Sequence, residues 1–181
     1  KQKRNFFFIK YLKNKKTKIV IDKMPLNIIY IAEILRFFPN AKFIHVIRDP
    51  RDNYAAIYAG VEGYYSKLGE QSIDVLCSHI NRARMDLIAA KVNQEYDPNS
   101  FLAIRFEDLV TSPKEIMEKV CSFLSIRFDE SMLVPEIGGA LYKGNNFDGN
   151  TFTGISNKNV GAWKSRISEA SAKVIEYWMA D

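Results

Sequence analysis

The chain has 181 residues, of which 47% are hydrophobic and 26% are charged, and its formal net charge is +5. This composition excludes an intrinsically disordered chain and is typical of a single globular domain with its own core. The two cysteines, Cys77 and Cys121, exclude a disulfide framework and lack metal-ligand spacing. Both lie in apolar helical patterns, so we expect each to be a small buried hydrophobic residue.

Positive charge is concentrated at the start of the chain. Residues 1–23 contain nine Lys or Arg and one acid, a net of +8, which leaves −3 for the remainder. Two interpretations stay open: a solvated basic surface, or a rim that attracts an anionic ligand. The asymmetry argues against a protein that binds nucleic acid over its whole surface, though not against a local basic patch, and no nucleic-acid partner is expected. No apolar stretch approaches the ~20 residues of a membrane span and no signal-peptide pattern is recognisable, so we expect a cytoplasmic protein.

The first elements predict a β-α-β unit over residues 18–47. Residues 1–12 fit a basic amphipathic helix, and Lys18–Ile21 fit a short strand. Pro25 opens a helix that Pro39 stops. The expected core face of this helix consists of Ile28, Ile31, Leu35 and Phe38. A second strand follows at once, and the crossover between the two strands is expected to be right-handed.

The second strand ends in a cluster of charge. Phe43–Ile47 is an almost continuous apolar run, which predicts a strand buried on both faces of a parallel sheet. The turn Arg48-Asp49-Pro50-Arg51-Asp52 follows, and Pro50 cannot continue a strand ladder. A helical pattern comes next, and this order of elements places a ligand beyond the carboxyl end of the strand. Arg48 would then receive an anion. The alternative is an Arg–Asp pair that only caps a surface turn.

The rest of the chain alternates between loops, helical patterns and one more strand. Residues 60–69 and 135–162 are predicted loops, residues 72–95 a long helix, and Phe101–Phe106 a third strand that turns at Glu107. The long helix is expected to bury Ile73, Leu76, Cys77, Ile80, Ala83, Leu87 and Ile88.

Two serines are predicted to cap the last two helices. Ser112 precedes Pro113 and an apolar helical face, and Ser168 precedes a terminal helix. The terminal helix is expected to turn Val174, Ile175 and Trp178 inward.

Four segments resemble motifs of the sulfotransferase family and occur in that family's order. The family moves a sulfuryl group from 3′-phosphoadenosine 5′-phosphosulfate (PAPS) to an acceptor. The likeness extends over about residues 19–178. The matching segments are Asp22–Asn27, Phe38–Ile44 continued by Val46–Asp52, Ile104–Val110 with Pro113, and Val160–Lys164.

The resemblance implies an α/β fold: a three-layer, P-loop NTPase-like domain with a mostly parallel central sheet. This domain would be incomplete at its N-terminus. Residues 1–181 would form one sulfotransferase-like domain. Within it, residues 18–110 would supply the sheet and the 3′-phosphate-binding core. Residues 111–181 would supply a C-terminal part made of helices and loops.

The resemblance also implies roles for five residues. Arg48 would pair with the 3′-phosphate of PAPS, because a guanidinium fork suits two phosphate oxygens. Lys23 would be catalytic, stabilising charge on the leaving oxygen, unless it is only a solvated lysine. Phe106 stands where the family has a tyrosine against the adenine, so it would stack on the base or pack as an ordinary core aromatic. Asn157 and Lys158 would belong to a loop that folds over the donor.

Besides Phe106, the sequence departs from the family's pattern in three places. Ala56 stands where a serine usually shares the 3′-phosphate, a loss of roughly 1–2 kcal/mol if the bond is not replaced. Lys23 is followed by Met24-Pro25 and not by the histidine of the cytosolic members. No Gly-x-x-x-x-Gly-Lys-[Ser/Thr] loop for the 5′-phosphosulfate is present, and the catalytic base expected near such a loop is missing with it. The chain is therefore expected to be the C-terminal part of a longer protein or a short relative that has lost catalysis.

Two functions stay open at this point. The first is a PAPS-dependent sulfotransferase that acts on a hydroxyl or amine of a small molecule, carbohydrate or protein and releases adenosine 3′,5′-bisphosphate. The second is a non-catalytic nucleotide-binding or interaction module of the same fold. A kinase-like phosphotransferase is disfavoured because no Walker lysine is present. No metal site is expected, since His45 and His79 lack companions at ligand spacing.

Overall fold

A computed structural model describes residues 19–59, 73–137, 139–142 and 153–180. The α-helices in these ranges are α1 (Ile31–Phe37), α2 (Pro50–Ala59), α3 (Ile73–Tyr96), α4 (Phe106–Thr111), α5 (Pro113–Leu124) and α6 (Glu169–Trp178). The strands are β1 (Phe43–Ile47), β2 (Phe101–Arg105), β3 (Glu136–Ile137) and β4 (Ala140–Leu141). Short 3-10 turns occupy Pro25–Tyr30, Glu130–Leu133 and Ala162–Ser165.

A small parallel sheet forms the middle of the fold. β1 and β2 run side by side in register, from Phe43 opposite Phe101 to Ile47 opposite Arg105. Both strands were predicted from their apolar runs, and the prediction is confirmed. β3 and β4 form a separate antiparallel pair within the predicted loop region. Because β1 and β2 are parallel, the charged residues that follow each strand emerge at the same edge.

Among the described elements, helices cover both faces of β2 but only one face of β1. On one face, Phe101 packs with Ile28 and Ile31, and Phe43 joins that cluster. On the other face, the buried residues Leu102, Ile104 and Val120 pack against partly buried side chains of α4 and α5. The sheet is therefore enclosed between two helical layers at β2, as a three-layer arrangement requires.

The expectation that β1 is buried on both faces is wrong. Ile44 is 40% exposed and Val46 is 48% exposed. These residues lie opposite Leu102 and Ile104, on the face that α5 covers at β2. The apolar run shows that both faces of β1 could be buried. A face is buried, however, only where another element packs against it.

The predicted strand Lys18–Ile21 is also wrong over its described residues. Residues 19–24 have no regular structure, and both Ile19 and Ile21 are largely exposed. A strand exists only where a neighbouring strand accepts its backbone hydrogen bonds, and no described strand lies beside this segment. The β-α-β unit predicted over residues 18–47 is therefore reduced to the 3-10 turn, α1 and β1.

Helix α3 confirms the long helix, but its buried face differs from the predicted stripe. The structure buries Val75, His79, Ile80, Ala83 and Ala90. Ile73, Ile88 and Cys77 are exposed, so the expectation of two buried cysteines holds only for Cys121. α3 packs against both the sheet and α6, and these two directions do not coincide with one periodic stripe.

The terminal helix buries Ser171, Ala172 and Ile175 against the rest of the fold. Ile175 is 1% exposed and packs with Tyr54 of α2 and with Val75 and Ile80 of α3. The prediction that Val174 and Trp178 also turn inward is wrong, since both side chains are substantially exposed. Ser168 caps α6 as predicted, with its side chain accepting a hydrogen bond of 3.1 Å from the Ser171 N–H.

Ser112 occupies the N-cap position of α5, but its side chain makes no capping hydrogen bond. The turn predicted after β2 is the short helix α4. The predicted helix over residues 1–12 and the predicted loop over residues 60–69 lie outside the described residues. Within the described ranges, no helix combines the length and the apolar character that crossing a bilayer requires.

Candidate functional site

A cavity of about 340 Å³ opens at the carboxyl edge of the parallel sheet. Charged residues from both strand ends and from α6 line it, together with a few apolar side chains. The lining residues are Ile47, Arg48, Asp49, Pro50, Arg51, Arg105, Glu107, Ile175, Glu176 and Met179. The turn after β1 and the end of β2 therefore meet at one site, and the segment of Asp22 and Lys23 does not join them there.

Arg48 directly follows β1 and has no carboxylate partner among the described residues. Its Nη2 donates a hydrogen bond of 3.2 Å to the carbonyl oxygen of Asn159. Its guanidinium lies over the ring of Phe106, 4.9 Å from the centroid. The Nε atom is buried, and no described residue accepts a hydrogen bond from it. Arg48 therefore has no carboxylate to balance it among the described residues and has an unused donor, an arrangement that suits binding of an anion.

Arg51 lies three residues away, and its charge is balanced. Its Nη2 lies 2.6 Å from Asp49 Oδ2, and its Nη1 lies 2.5 Å from Glu176 Oε1 on α6. Its guanidinium stacks on Trp163 at 4.3 Å. The hydrogen bonds that Arg51 donates to Asp49 and Glu176 raise the pKa of Arg51 above its ordinary value. Two arginines in one motif thus differ: Arg51 joins α2 to α6 through carboxylates, and Arg48 has no carboxylate partner among the described residues.

Glu107 connects the two strand ends. Its Oε1 accepts a hydrogen bond of 2.8 Å from the Asp49 N–H, and its Oε2 lies 3.8 Å from Arg105 Nε. Glu107, at which the chain turns after β2, therefore also holds the turn after β1. Burial raises the pKa of Asp49, but hydrogen bonds from Arg51 outweigh this and hold the pKa below its usual value.

Asp52 binds a distant loop through both of its carboxylate oxygens. Oδ2 accepts a hydrogen bond of 2.7 Å from the Gly161 N–H, and Oδ1 accepts one of 2.9 Å from the Trp163 N–H. The Asp52 side chain is almost completely buried. The sequence alone identifies Asp52 only as part of the charged turn. The sequence features that could have indicated this contact are the second aspartate of that turn and Gly161, two residues before Trp163.

Phe106 is the predicted site residue that the structure brings against Arg48. Lys23 is exposed in the irregular segment before Pro25 and does not line the cavity. Asn157 and Lys158 are exposed in the loop that leads to Asn159, and neither lines the cavity. The loop therefore does reach Arg48, but it does so through a backbone carbonyl one residue beyond the predicted pair.

The two histidines are placed by packing. His79 is buried in α3, and its Nε2 lies 2.8 Å from the carbonyl oxygen of Pro50 at the start of α2. Burial lowers the pKa of His79 below its ordinary value of 6.5. His45 stacks on Phe101 within the sheet, and burial also lowers its pKa. No group of three His, Cys, Asp or Glu side chains suited to a metal occurs in the part of the chain that the structure describes.

Comparison with known proteins gives consistent matches. A family model described as the sulfotransferase family matches residues 3–130. The omega-hydroxy-beta-dihydromenaquinone-9 sulfotransferase Stf3 of Mycobacterium tuberculosis is 30% identical over 125 residues, which cover 67% of this chain and 32% of that protein. A putative protein-tyrosine sulfotransferase of Caenorhabditis elegans is 26% identical over 112 residues, covering 62% of this chain and 42% of that protein. The chain thus spans about a third of the first relative's length.

Two solved structures share the fold. The sulfotransferase domain from the curacin biosynthetic pathway matches with a TM-score of 0.64 at 18% identity, covering 96% of this chain and 66% of that one. The sulfotransferase domain from the Synechococcus PCC 7002 olefin synthase matches with a TM-score of 0.64 at 22% identity, covering 97% of this chain and 64% of that one. The family model spans well over half of the sequence, and the chain belongs to the sulfotransferase family.

Proposed function

We propose that this chain is the 3′-phosphate-binding part of a PAPS-dependent sulfotransferase. The observation that carries the proposal is the state of Arg48. It lies at the carboxyl edge of a parallel sheet, has no carboxylate partner among the described residues and keeps a buried, unused Nε donor. An anionic phosphate would supply the missing acceptor and balance the charge.

The proposed roles of the other residues rest on their family resemblance and on their positions. Phe106 stacks on the adenine, since its ring already lies beside Arg48. Asn157 and Lys158 add contacts from the loop that reaches Arg48. Lys23 approaches the sulfate end of the donor. In the proposed organisation, residues 18–110 provide the nucleotide core and residues 111–181 complete it, within one domain.

The reaction would be an in-line transfer. A bond forms between sulfur and the acceptor atom, while the bond between sulfur and the bridging oxygen of the 5′-phosphate breaks. The electron pair leaves on that oxygen as adenosine 3′,5′-bisphosphate, where Lys23 would stabilise the charge. The acceptor's proton passes to a base outside the five assigned residues. A hydroxyl acceptor is the form that we favour, because two relatives are named for an omega-hydroxy compound and for protein tyrosine.

One observation favours a second function, a nucleotide-binding module without catalysis. Ala56 lies on α2, where the family pattern places a serine against the 3′-phosphate. Without that hydroxyl the site loses a hydrogen bond of roughly 1–2 kcal/mol. This function predicts that the full-length protein binds the bisphosphate and forms none of it from PAPS when offered hydroxyl and amine acceptors.

The proposal is tested by calorimetric titration of the full-length protein with adenosine 3′,5′-bisphosphate. Arg48→Ala removes the uncompensated cation, and Arg127→Ala, at an exposed position after α5, is the control for loss of one positive charge. Two charge-assisted bonds at about 1.5–3 kcal/mol each predict a loss of at least 100-fold for Arg48→Ala. We expect Arg127→Ala to stay within threefold of the parent protein. Equal affinities of the parent and Arg48→Ala would show that the phosphate binds elsewhere.

A further inference from the structure

Asp52 is a buried carboxylate without a cationic partner among the described residues. It is 2% exposed and lies in the first turn of α2. Burying a carboxylate costs several kcal/mol unless hydrogen bonds satisfy it. Here the two bonds come from the backbone N–H groups of Gly161 and Trp163, which are 109 and 111 residues further along the chain. The carboxylate therefore holds a specific segment of a distant loop.

Local capping of the helix does not account for Asp52. An acid near a helix N-terminus often accepts hydrogen bonds from the helix's own first N–H groups. In α2 that task falls to Asp49, whose Oδ1 accepts a hydrogen bond of 2.8 Å from the Arg51 N–H. Asp52 instead gives both oxygens to the loop. Its burial and its long-range partners indicate a role in the arrangement of that loop.

The loop that Asp52 holds provides the contacts to Arg48 and Arg51. The carbonyl of Asn159, two residues before Gly161, accepts the hydrogen bond from Arg48 Nη2. The ring of Trp163 stacks on Arg51. Gly161 has a φ of +73°, a backbone conformation that favours glycine, and this turn presents the two N–H groups to one carboxylate. Asp52 thus binds the same segment whose Asn159 carbonyl contacts Arg48.

We propose that Asp52 is a positioning residue for the 3′-phosphate site. By clamping Gly161 and Trp163, it holds the Asn159 carbonyl against one nitrogen of Arg48. The guanidinium is then fixed with its Nε and its remaining N–H groups directed to a phosphate. This inference rests on the proposed function and adds that the affinity for the 3′-phosphate depends on a carboxylate that does not touch the nucleotide.

The test compares two nucleotides that differ only in the 3′-phosphate. Asp52→Asn keeps the shape of the side chain, but its NH₂ group faces one of the two loop N–H groups, so one hydrogen bond is lost. We expect the affinity of the full-length protein for adenosine 3′,5′-bisphosphate to fall at least tenfold, and that for adenosine 5′-monophosphate to stay within twofold. Asp129→Asn is the matched control, because the Asp129 carboxylate also accepts a backbone N–H, that of Ser131, but on an exposed turn.

The outcomes separate the two proposals. If the parent protein does not bind the bisphosphate, the proposed function is wrong and this inference is wrong with it. If the parent binds and Asp52→Asn binds both nucleotides as the parent does, only the positioning role is wrong. An equal loss for both nucleotides would show that Asp52 supports the fold and not the 3′-phosphate site.

A second measurement tests the inference without a variant, in case Asp52→Asn does not fold. In the unmodified protein, hydrogen exchange at the Gly161 and Trp163 amides reports on the clamp directly. We expect slow exchange at both amides, and at least a threefold further slowing with the bisphosphate but not with the monophosphate. Fast exchange at both amides, or the same slowing with either nucleotide, would overturn the inference.

Discussion

Replacing Gly161 with alanine tests the backbone turn on which the loop depends. Gly161 has a φ of +73°, and a Cβ atom added there would meet nothing within 4 Å. The substitution therefore causes no clash and changes only the conformational preference. An alanine in the left-handed region costs about 1–2 kcal/mol, while the restricted unfolded chain returns about 0.4–1 kcal/mol. Gly161→Ala is expected to lower the free energy of unfolding by up to about 1.5 kcal/mol.

Gly154 offers a matched control in the same part of the chain. A Cβ atom there would also meet nothing within 4 Å, and its φ lies outside the left-handed region. Gly154→Ala gains the same unfolded-state term without the strain, so the two variants differ by the strain alone, about 1–2 kcal/mol. Urea denaturation followed by tryptophan fluorescence measures this difference, and thermal midpoints should separate by about 2–8 °C. Coincident unfolding curves of the two alanine variants would refute the reasoning.

Two further predictions concern the helices that support the site. Ile175→Ala should lower the free energy of unfolding by about 2–5 kcal/mol, because Ile175 is 1% exposed. The control Val174→Ala, at a residue that is 39% exposed, should lower it by under about 1 kcal/mol in the same urea titration. Similar losses for the two variants would contradict the assigned packing. Burial lowers the pKa of His79 in the folded protein below its ordinary value of 6.5. The contribution of the neutral imidazole to the free energy of unfolding is therefore complete above pH 6.5 and is lost as the pH falls towards the lowered pKa, by at most about 1.4 kcal/mol per pH unit. His79→Gln, measured by denaturation between pH 5 and 8, should flatten this slope while His45 still contributes, and an unchanged slope would show that His79 is not the group responsible.

The elements that the sequence predicted well are those with a strong local signal. The strand Phe43–Ile47, the helix that follows the charged turn and the long helix α3 were predicted from apolar runs and helical spacing, although the second of these begins within the turn, at Pro50. Burial was predicted less well. Ile44 on β1 and Ile88 on α3 match core patterns, yet both are exposed. A periodic pattern describes the chain itself, and it does not tell which neighbouring element will lie against each face.

The features of the candidate site were also predictable only where a local sequence signal exists. Arg48 and the meeting of two strand ends were predictable, because parallel strands direct their carboxyl ends to one edge. The difference between Arg48 and Arg51 was not predictable, since Glu176, which helps to balance the charge of Arg51, is 125 residues away. Asp52 was missed for a related reason. Its partners are backbone N–H groups, which every residue except proline carries, so no side chain marks them in the sequence.

The link between the charged turn and the distant loop has a consequence for synthesis of the protein. Arg48 and Asn159 are 111 residues apart, so at about 5–20 residues per second roughly 6–22 s pass between the translation of one and of the other. During this interval the arginine lacks the carbonyl that orients it, and closing so long a loop is entropically costly. A nascent chain should therefore be unable to capture the nucleotide early, and binding competence should arise only when the later segment docks.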